Sequence, residues 1–248
     1  MRASTWRLGL ALFIDYVLYA SLLALLQWLL QPSGITVWWV AGLLAFVVLE
    51  VALVRATGSS PGRRTLGVLR RGEALVVARA FEARERWWTV LAGVLGLLEG
   101  AKEAVRFTQG LPPPPFMGLT LSWDAAGAIV TTNGLVTMTA GLLVLRVRTV
   151  GAALGLAVSL VGLVSWLASW SQIAGWVEAR ALARQALTGI VARPEQIAAT
   201  KWMLPLGALL AGAVGTVWLA LVLRRFRRIA LPSAAWHEDA REQVDAAP

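Results

Sequence analysis

The chain has 248 residues, 58% of them apolar and 15% charged, with a net charge of +9 and a mean hydropathy of +0.67. That balance excludes an ordinary soluble domain, and the absence of cysteine excludes disulfides, thiolate metal sites and thiol catalysis. The positive charge does not mark a nucleic-acid partner, because the Arg residues fill the gaps between apolar runs of about 20 residues, the length that crosses a ~30 Å hydrocarbon core.

The first run, Leu8 to Leu30, is too long for the apolar part of a signal peptide and carries Asp15, so it reads as a retained first span. Gln31-Pro32-Ser33-Gly34 is an uncharged turn, and Ile35 to Val54 is the second span, with Glu50 near its end. Residues 55–86 are polar and basic, with eight Arg against three Glu. Within them Val68 to Val77 reads as strand, turn and strand, and the part up to Arg86 as an interfacial helix. Trp87 to Phe107 is the third span. Pro112 to Pro115 stop any helix, because proline fixes φ and lacks the backbone donor.

The fourth span is expected at Ala126 to Leu145, diluted by Thr131, Thr132, Asn133, Thr137 and Thr139. After the tight basic turn Arg146-Val147-Arg148 comes a fifth span, Thr149 to Trp170. Residues 171–201 form a further polar segment with helical spacing of Ile173, Trp176, Val177 and Leu187, broken before Pro194. The sixth span is Trp202 to Val222, stopped by Arg224, Arg225, Arg227 and Arg228, and residues 229–248 read as a disordered polar tail.

With the N-terminus inside, Lys and Arg number 17 on the inner side and 6 on the outer. Positive charge gathers on the inner side of bacterial membranes, so six spans with both termini inside satisfy the charge bias. The 13 Trp fall largely at the two boundaries, as an aromatic belt does. The predicted fold class is therefore an all-α polytopic transmembrane protein of the bacterial cytoplasmic membrane. The lipid bilayer is its first partner.

Two groups of residues carry chemistry. Asp15 and Glu50 lie in the first two spans, where an ionised carboxylate needs a cation, a proton or a basic neighbour. In an antiparallel hairpin their depths differ by only ~4–5 Å. They are ion- or proton-binding candidates; equally, Asp15 pairs with an inner Arg and locks the hairpin. Arg7, eight residues before Asp15, is ~12 Å away along the helix and too distant for a direct pair. In the third span Glu99, Lys102, Glu103 and Arg106 fall at i, i+3, i+4 and i+7 on one helical face. Such a stripe lines a water-filled vestibule or an ion-pair ladder, or marks where the helix leaves the membrane. Small residues four apart, such as Gly96 and Gly100 or Ala208 and Gly212, mark close packing within the bundle or against a second copy. No phosphate-binding loop, Ser–His pair or zinc-binding His-Glu-x-x-His is present, and His237 is the only histidine. No catalytic residue, metal site or cofactor is expected, and an enzyme is the least favoured class.

An Arg before the first span, the stretch Ala11-Leu-Phe-Ile-Asp-Tyr-Val-Leu18, Glu50 at the end of the second span and the segment Thr57-Gly-Ser-Ser-Pro-Gly-Arg-Arg-Thr-Leu-Gly67 together resemble the RDD family of bacterial membrane proteins. The resemblance covers Arg7 to Leu98, and Ser60-Pro61-Gly62-Arg63 is its most specific part. It implies that Arg7 and Asp15 are the family's Arg and first Asp. The nearest match to the second Asp is Asp124, at a spacing that differs from the family's. Residues 1–110 would then form an RDD-like module with a basic cytoplasmic loop at 55–86, and residues 111–228 a three-helix part with an outer segment at 171–201. The function this implies is transport of a small ion or solute through the intramembrane carboxylates. The alternative is a non-catalytic scaffold or assembly factor that binds an acidic protein or anionic lipid through residues 55–86.

Overall fold

A computed structural model describes residues 4–30, 46–48, 50–52, 54–56, 59–71, 74–77, 86–106, 111–119, 121–191 and 193–228. Helix α1 spans Thr5–Leu30, and helical turns follow at 46–48, 50–52 and 54–56. The short helix α2, Pro61–Thr65, leads into a two-stranded antiparallel hairpin of β1, Val68–Arg71, and β2, Ala74–Val77, with Val68 opposite Val77. The remaining helices are α3, Trp87–Arg106; α4, Trp123–Leu145; α5, Thr149–Ala168; α6, Trp170–Thr188; and α7, Pro194–Arg228.

Four of these, α1, α4, α5 and α7, are long and apolar enough to cross a membrane. Helix α3 matches α5 in length, at 20 residues, but its last two turns hold four charged side chains. The second expected span, Ile35 to Val54, lies largely outside the described residues, as do residues 78–85, where the interfacial helix is expected, and the tail at 229–248. One expectation changes. The segment 171–201 is not separate from the last span: it divides into α6 and the opening turns of α7, which runs unbroken for 35 residues. Pro194 occupies the first helical position, where its missing N–H costs nothing, so it starts α7. Gly189, at φ 69°, ends α6 in the left-handed conformation.

Helices α3 and α4 pack backbone to backbone. A Cβ on Gly100 would lie 2.2 Å from the Met138 nitrogen, and one on Gly134 2.2 Å from the Ala104 nitrogen. Only glycine permits that approach, the small-residue packing that membrane helices favour. One core cluster joins Ala11, Ile14 and Val17 of α1 to Leu66, Val68, Leu97, Ala101 and Leu145, so α1 and the basic segment pack on the α3–α4 pair across position 110. A second unites Ala92, Val144, Val147, Ala152, Val222 and Phe226 at one end of α3, α4, α5 and α7. At the other end Ile173, Trp176 and Val177 of α6 pack with Trp166 and Leu204. Helices α5 and α7 also share a hydrogen bond, Ser159 Oγ to Thr216 Oγ1 at 2.7 Å. The opposite side of α7 exposes Met203, Leu210, Val214, Val217 and Leu221, an apolar stripe suited to lipid.

Candidate functional site

The first site forms where α2 meets α1. Ser60 is the N-cap of α2 and Pro61 its first residue, a sequence pre-organised for a helix start. The Ser60 hydroxyl accepts from the Arg63 N–H at 3.3 Å and donates to Asp15 Oδ2 at 2.6 Å. The Gly62 N–H donates to Asp15 Oδ1 at 2.6 Å. Both carboxylate oxygens are thus engaged, and Asp15 and Ser60 are fully buried. A Cβ at Gly62 would stand 2.0 Å from the Ala11 carbonyl oxygen and 2.9 Å from Asp15 Oδ2, so the position must be glycine. Hydroxyl, backbone N–H and carboxylate make a clasp that fastens the Ser60-Pro61-Gly62-Arg63 segment to α1.

Glu50 borders the same clasp. Its electrostatic neighbours are Asp15, Ser60 and Arg63, and its Oε2 is buried without a hydrogen-bond partner. Phe46 packs edge-on against Tyr16 and Tyr19 of α1, at centroid distances of 6.3 and 5.2 Å, which sets the turns around Glu50 beside α1. Asp15 and Glu50 thus fall within electrostatic reach of each other. The Asp15 carboxylate is met by a hydroxyl, an amide and the nearby Arg63. Arg7 is buried and lies over the Trp6 ring at 5.1 Å. Asp124 does not join this group. It sits exposed in the first turn of α4, and Leu145, which packs near Ala11 and Ile14, lies about 30 Å away along that helix.

The second site is a cavity of about 990 Å³ among α3, α4, α5, α6 and α7. All four members of the polar stripe, Glu99, Lys102, Glu103 and Arg106, line it. A single guanidinium nitrogen of Arg106, Nη1, donates to both oxygens of Glu103, at 2.8 and 2.9 Å. Lys102 pairs with Glu99, both largely exposed. Asn133 and Thr137 of α4 and Gln196 and Thr200 of α7 add neutral polar groups.

Helix α6 contributes what the charge pattern of α3 alone does not reveal. Trp176, Arg180 and Arg184 recur every four residues and all line the cavity. The Trp176 indole is flanked by two guanidiniums, with Arg106 at 5.8 Å and Arg180 at 5.5 Å from its ring centre, and its N–H donates to the Pro112 carbonyl at 3.0 Å. Arg180 Nη1 is buried with no hydrogen-bond partner. Burial, then the like charge of Arg106, holds the Arg180 pKa below the usual guanidinium range; Glu103 offsets part of this, and Arg184 adds to it. The signal that finds these residues in the sequence is their four-residue spacing, which places all three on one face of α6.

A tight turn, Phe116 to Leu119, sits at the cavity's edge. Met117 and Gly118 both have positive φ, 52° and 71°, and each N–H is taken by a serine of the α5–α6 junction. Met117 N–H donates to Ser165 Oγ at 3.0 Å, Gly118 N–H to Ser169 Oγ at 2.9 Å, and Gln172 Nε2 donates to the Gly118 carbonyl at 2.6 Å. The polyproline stretch is thereby anchored across the α5–α6 corner. Pro114, Pro115 and Phe116 become part of the cavity wall. No protein-family model matches the chain, and neither a curated protein nor a solved structure shows significant similarity to it.

Proposed function

We propose that this chain is a six-span protein of the bacterial cytoplasmic membrane, both termini inside, that binds a small solute for transport in the cavity among α3 to α7. In this reading the cavity faces the outer side and residues 55–86 face the inner, and the N-terminal part is an RDD-type module. The observation that carries it is the convergence of the whole Glu99–Arg106 stripe on one roomy cavity, a size typical of small-molecule sites. Asp15 serves this protein as a fastener: both its oxygens are occupied, and it does not line the cavity.

The test uses the absence of cysteine. Thr137→Cys in intact cells should react with a membrane-impermeant maleimide added outside, and a solute that fills the cavity should slow that reaction. A Thr137→Cys thiol that reacts only from the cytoplasmic side, or from neither side in a folded protein, would sink the proposal. A second reading, an assembly factor docking an acidic protein through residues 55–86, rests on the clasp, which holds the Arg63-Arg64 turn on α1. It expects a photo-cross-linker at position 64 to capture a second protein in wild type and to lose it in Asp15→Ala.

A further inference from the structure

The charges around the cavity do not balance. Lys102, Arg106, Arg180 and Arg184 face Glu99 and Glu103, and both acids are already paired within α3. Among the described residues no further carboxylate lines the cavity, which leaves Arg180 and Arg184 as surplus positive charge. Arg180 spends one face on Trp176 yet keeps a buried, unpartnered Nη1. A buried guanidinium donor without an acceptor is costly, and Arg106 and Arg184 repel it further. An anion is the partner that removes both penalties at once, and the planar fork of arginine fits the oxygens of a phosphate or carboxylate.

Beyond these charged groups and the neutral polar residues, the lining is apolar. Ile129 and Val130 of α4, Val161 of α5 and Leu204 and Ala208 of α7 extend the cavity away from the guanidiniums. Val161 keeps much of its side chain exposed, open to whatever fills the cavity. A fully hydrated inorganic anion would leave that wall unused.

Building on the solute-binding reading above, we infer that the cavity takes an anionic amphiphile: a phosphate or carboxylate group held by Arg180 and Arg184 beside Trp176, with an apolar chain laid along Val161, Leu204 and Ala208. The group belongs either to a membrane lipid or to a free anionic solute, and the two sources share this chemistry.

The experiment titrates the full chain, in phosphatidylcholine nanodiscs, with dodecyl phosphate, dodecyltrimethylammonium and inorganic phosphate, reading calorimetric heat and thermal stability. Dodecyl phosphate should bind at one per chain and at least ten-fold more tightly than either other probe. Arg180→Gln and the more exposed Arg184→Gln should each weaken it about ten-fold, and Arg193→Gln, outside the cavity, should not. If Arg180→Gln fails to fold, Arg184→Gln gives the same reading. Phosphatidylglycerol retained through purification, seen by native mass spectrometry and lost in Arg184→Gln, would make the source a lipid; its absence beside tight dodecyl phosphate binding would make it a free solute. Equal binding of the cationic and anionic probes, or binding unchanged in both Arg variants, overturns the inference. If the cationic probe alone binds, and Thr137→Trp abolishes it, the cavity remains a solute site and only its anionic preference is lost. If no probe binds, the anionic inference falls, whereas the solute-binding reading stands or falls on the Thr137→Cys labelling.

Discussion

Asp15→Ala removes the acceptor of two hydrogen bonds at once and strands two buried donors, the Ser60 hydroxyl and the Gly62 N–H. Hydrogen bonds to a charged group contribute about 1.5–3 kcal/mol each, and a stranded buried donor costs about 1–3 kcal/mol. These figures overlap, so the expected loss in the stability of the clasp is about 3–5 kcal/mol. Asp15→Asn keeps an oxygen for Gly62 and offers its amide to the Ser60 oxygen, so its cost should fall to about 1–2 kcal/mol. The global bundle, held by the α3–α4 and α5–α7 contacts, need not unfold. The effect should appear as local opening of α2, which trypsin reads as cleavage after Arg63 and Arg64. Where opening is fast relative to cleavage, the rate follows the open population, so 3 kcal/mol corresponds to roughly a hundred-fold acceleration. Mapping the cleavage sites by mass spectrometry separates these two from the other arginines of the loop. Gly62→Ala should behave like Asp15→Ala, since its Cβ would collide with the Ala11 carbonyl. Combining Asp15→Ala with Ser60→Ala should cost clearly less than the sum of the two. Wild-type cleavage after Arg64 in a folded Asp15→Ala protein would refute the clasp.

Three further outcomes are expected. Gly134→Ala should destabilise the protein by about 1–3 kcal/mol through overpacking against Ala104, whereas Gly215→Ala, with nothing within 4 Å of the new methyl group, should be neutral or stabilising in thermal unfolding. Ser169→Ala should leave the Gly118 N–H unpaired at a cost of about 1–3 kcal/mol, visible as faster hydrogen exchange at Gly118 with little change in the middle of α4. Phe226→Ala empties a fully buried position between α3, α4, α5 and α7, and should lower stability by about 3–5 kcal/mol; unchanged thermal unfolding would mean that this core cluster does not hold the bundle end.

Much of the architecture is written in local patterns. The apolar runs announce α1, α4, α5 and α7, because a helix in lipid must satisfy its own backbone and present apolar side chains all round. Proline and glycine fix several boundaries for stated reasons: Pro112 to Pro115 lie in irregular chain before α4, Pro61 opens α2, and Gly189 closes α6. The strand, turn and strand at Val68 to Val77 and the single charged face of α3 are legible for the same reason, since both follow from periodicity within a few residues.

What the sequence leaves open is how each helix is rotated and which distant groups meet. Asp15 is 45 residues from Ser60 and 47 from Gly62. No local pattern tells whether its carboxylate meets an arginine, an ion or a backbone amide, and that difference separates an ion-site candidate from a fastener. The same holds for the polar stripe. On α3 alone it suits a vestibule, a ladder or an emerging helix end. Only the packing of α6 across it, which brings Trp176, Arg180 and Arg184 to Glu103 and Arg106, makes it one wall of a cavity with surplus positive charge. Periodicity belongs to a single helix. The sign and shape of a site belong to the space between helices, which only the tertiary structure decides.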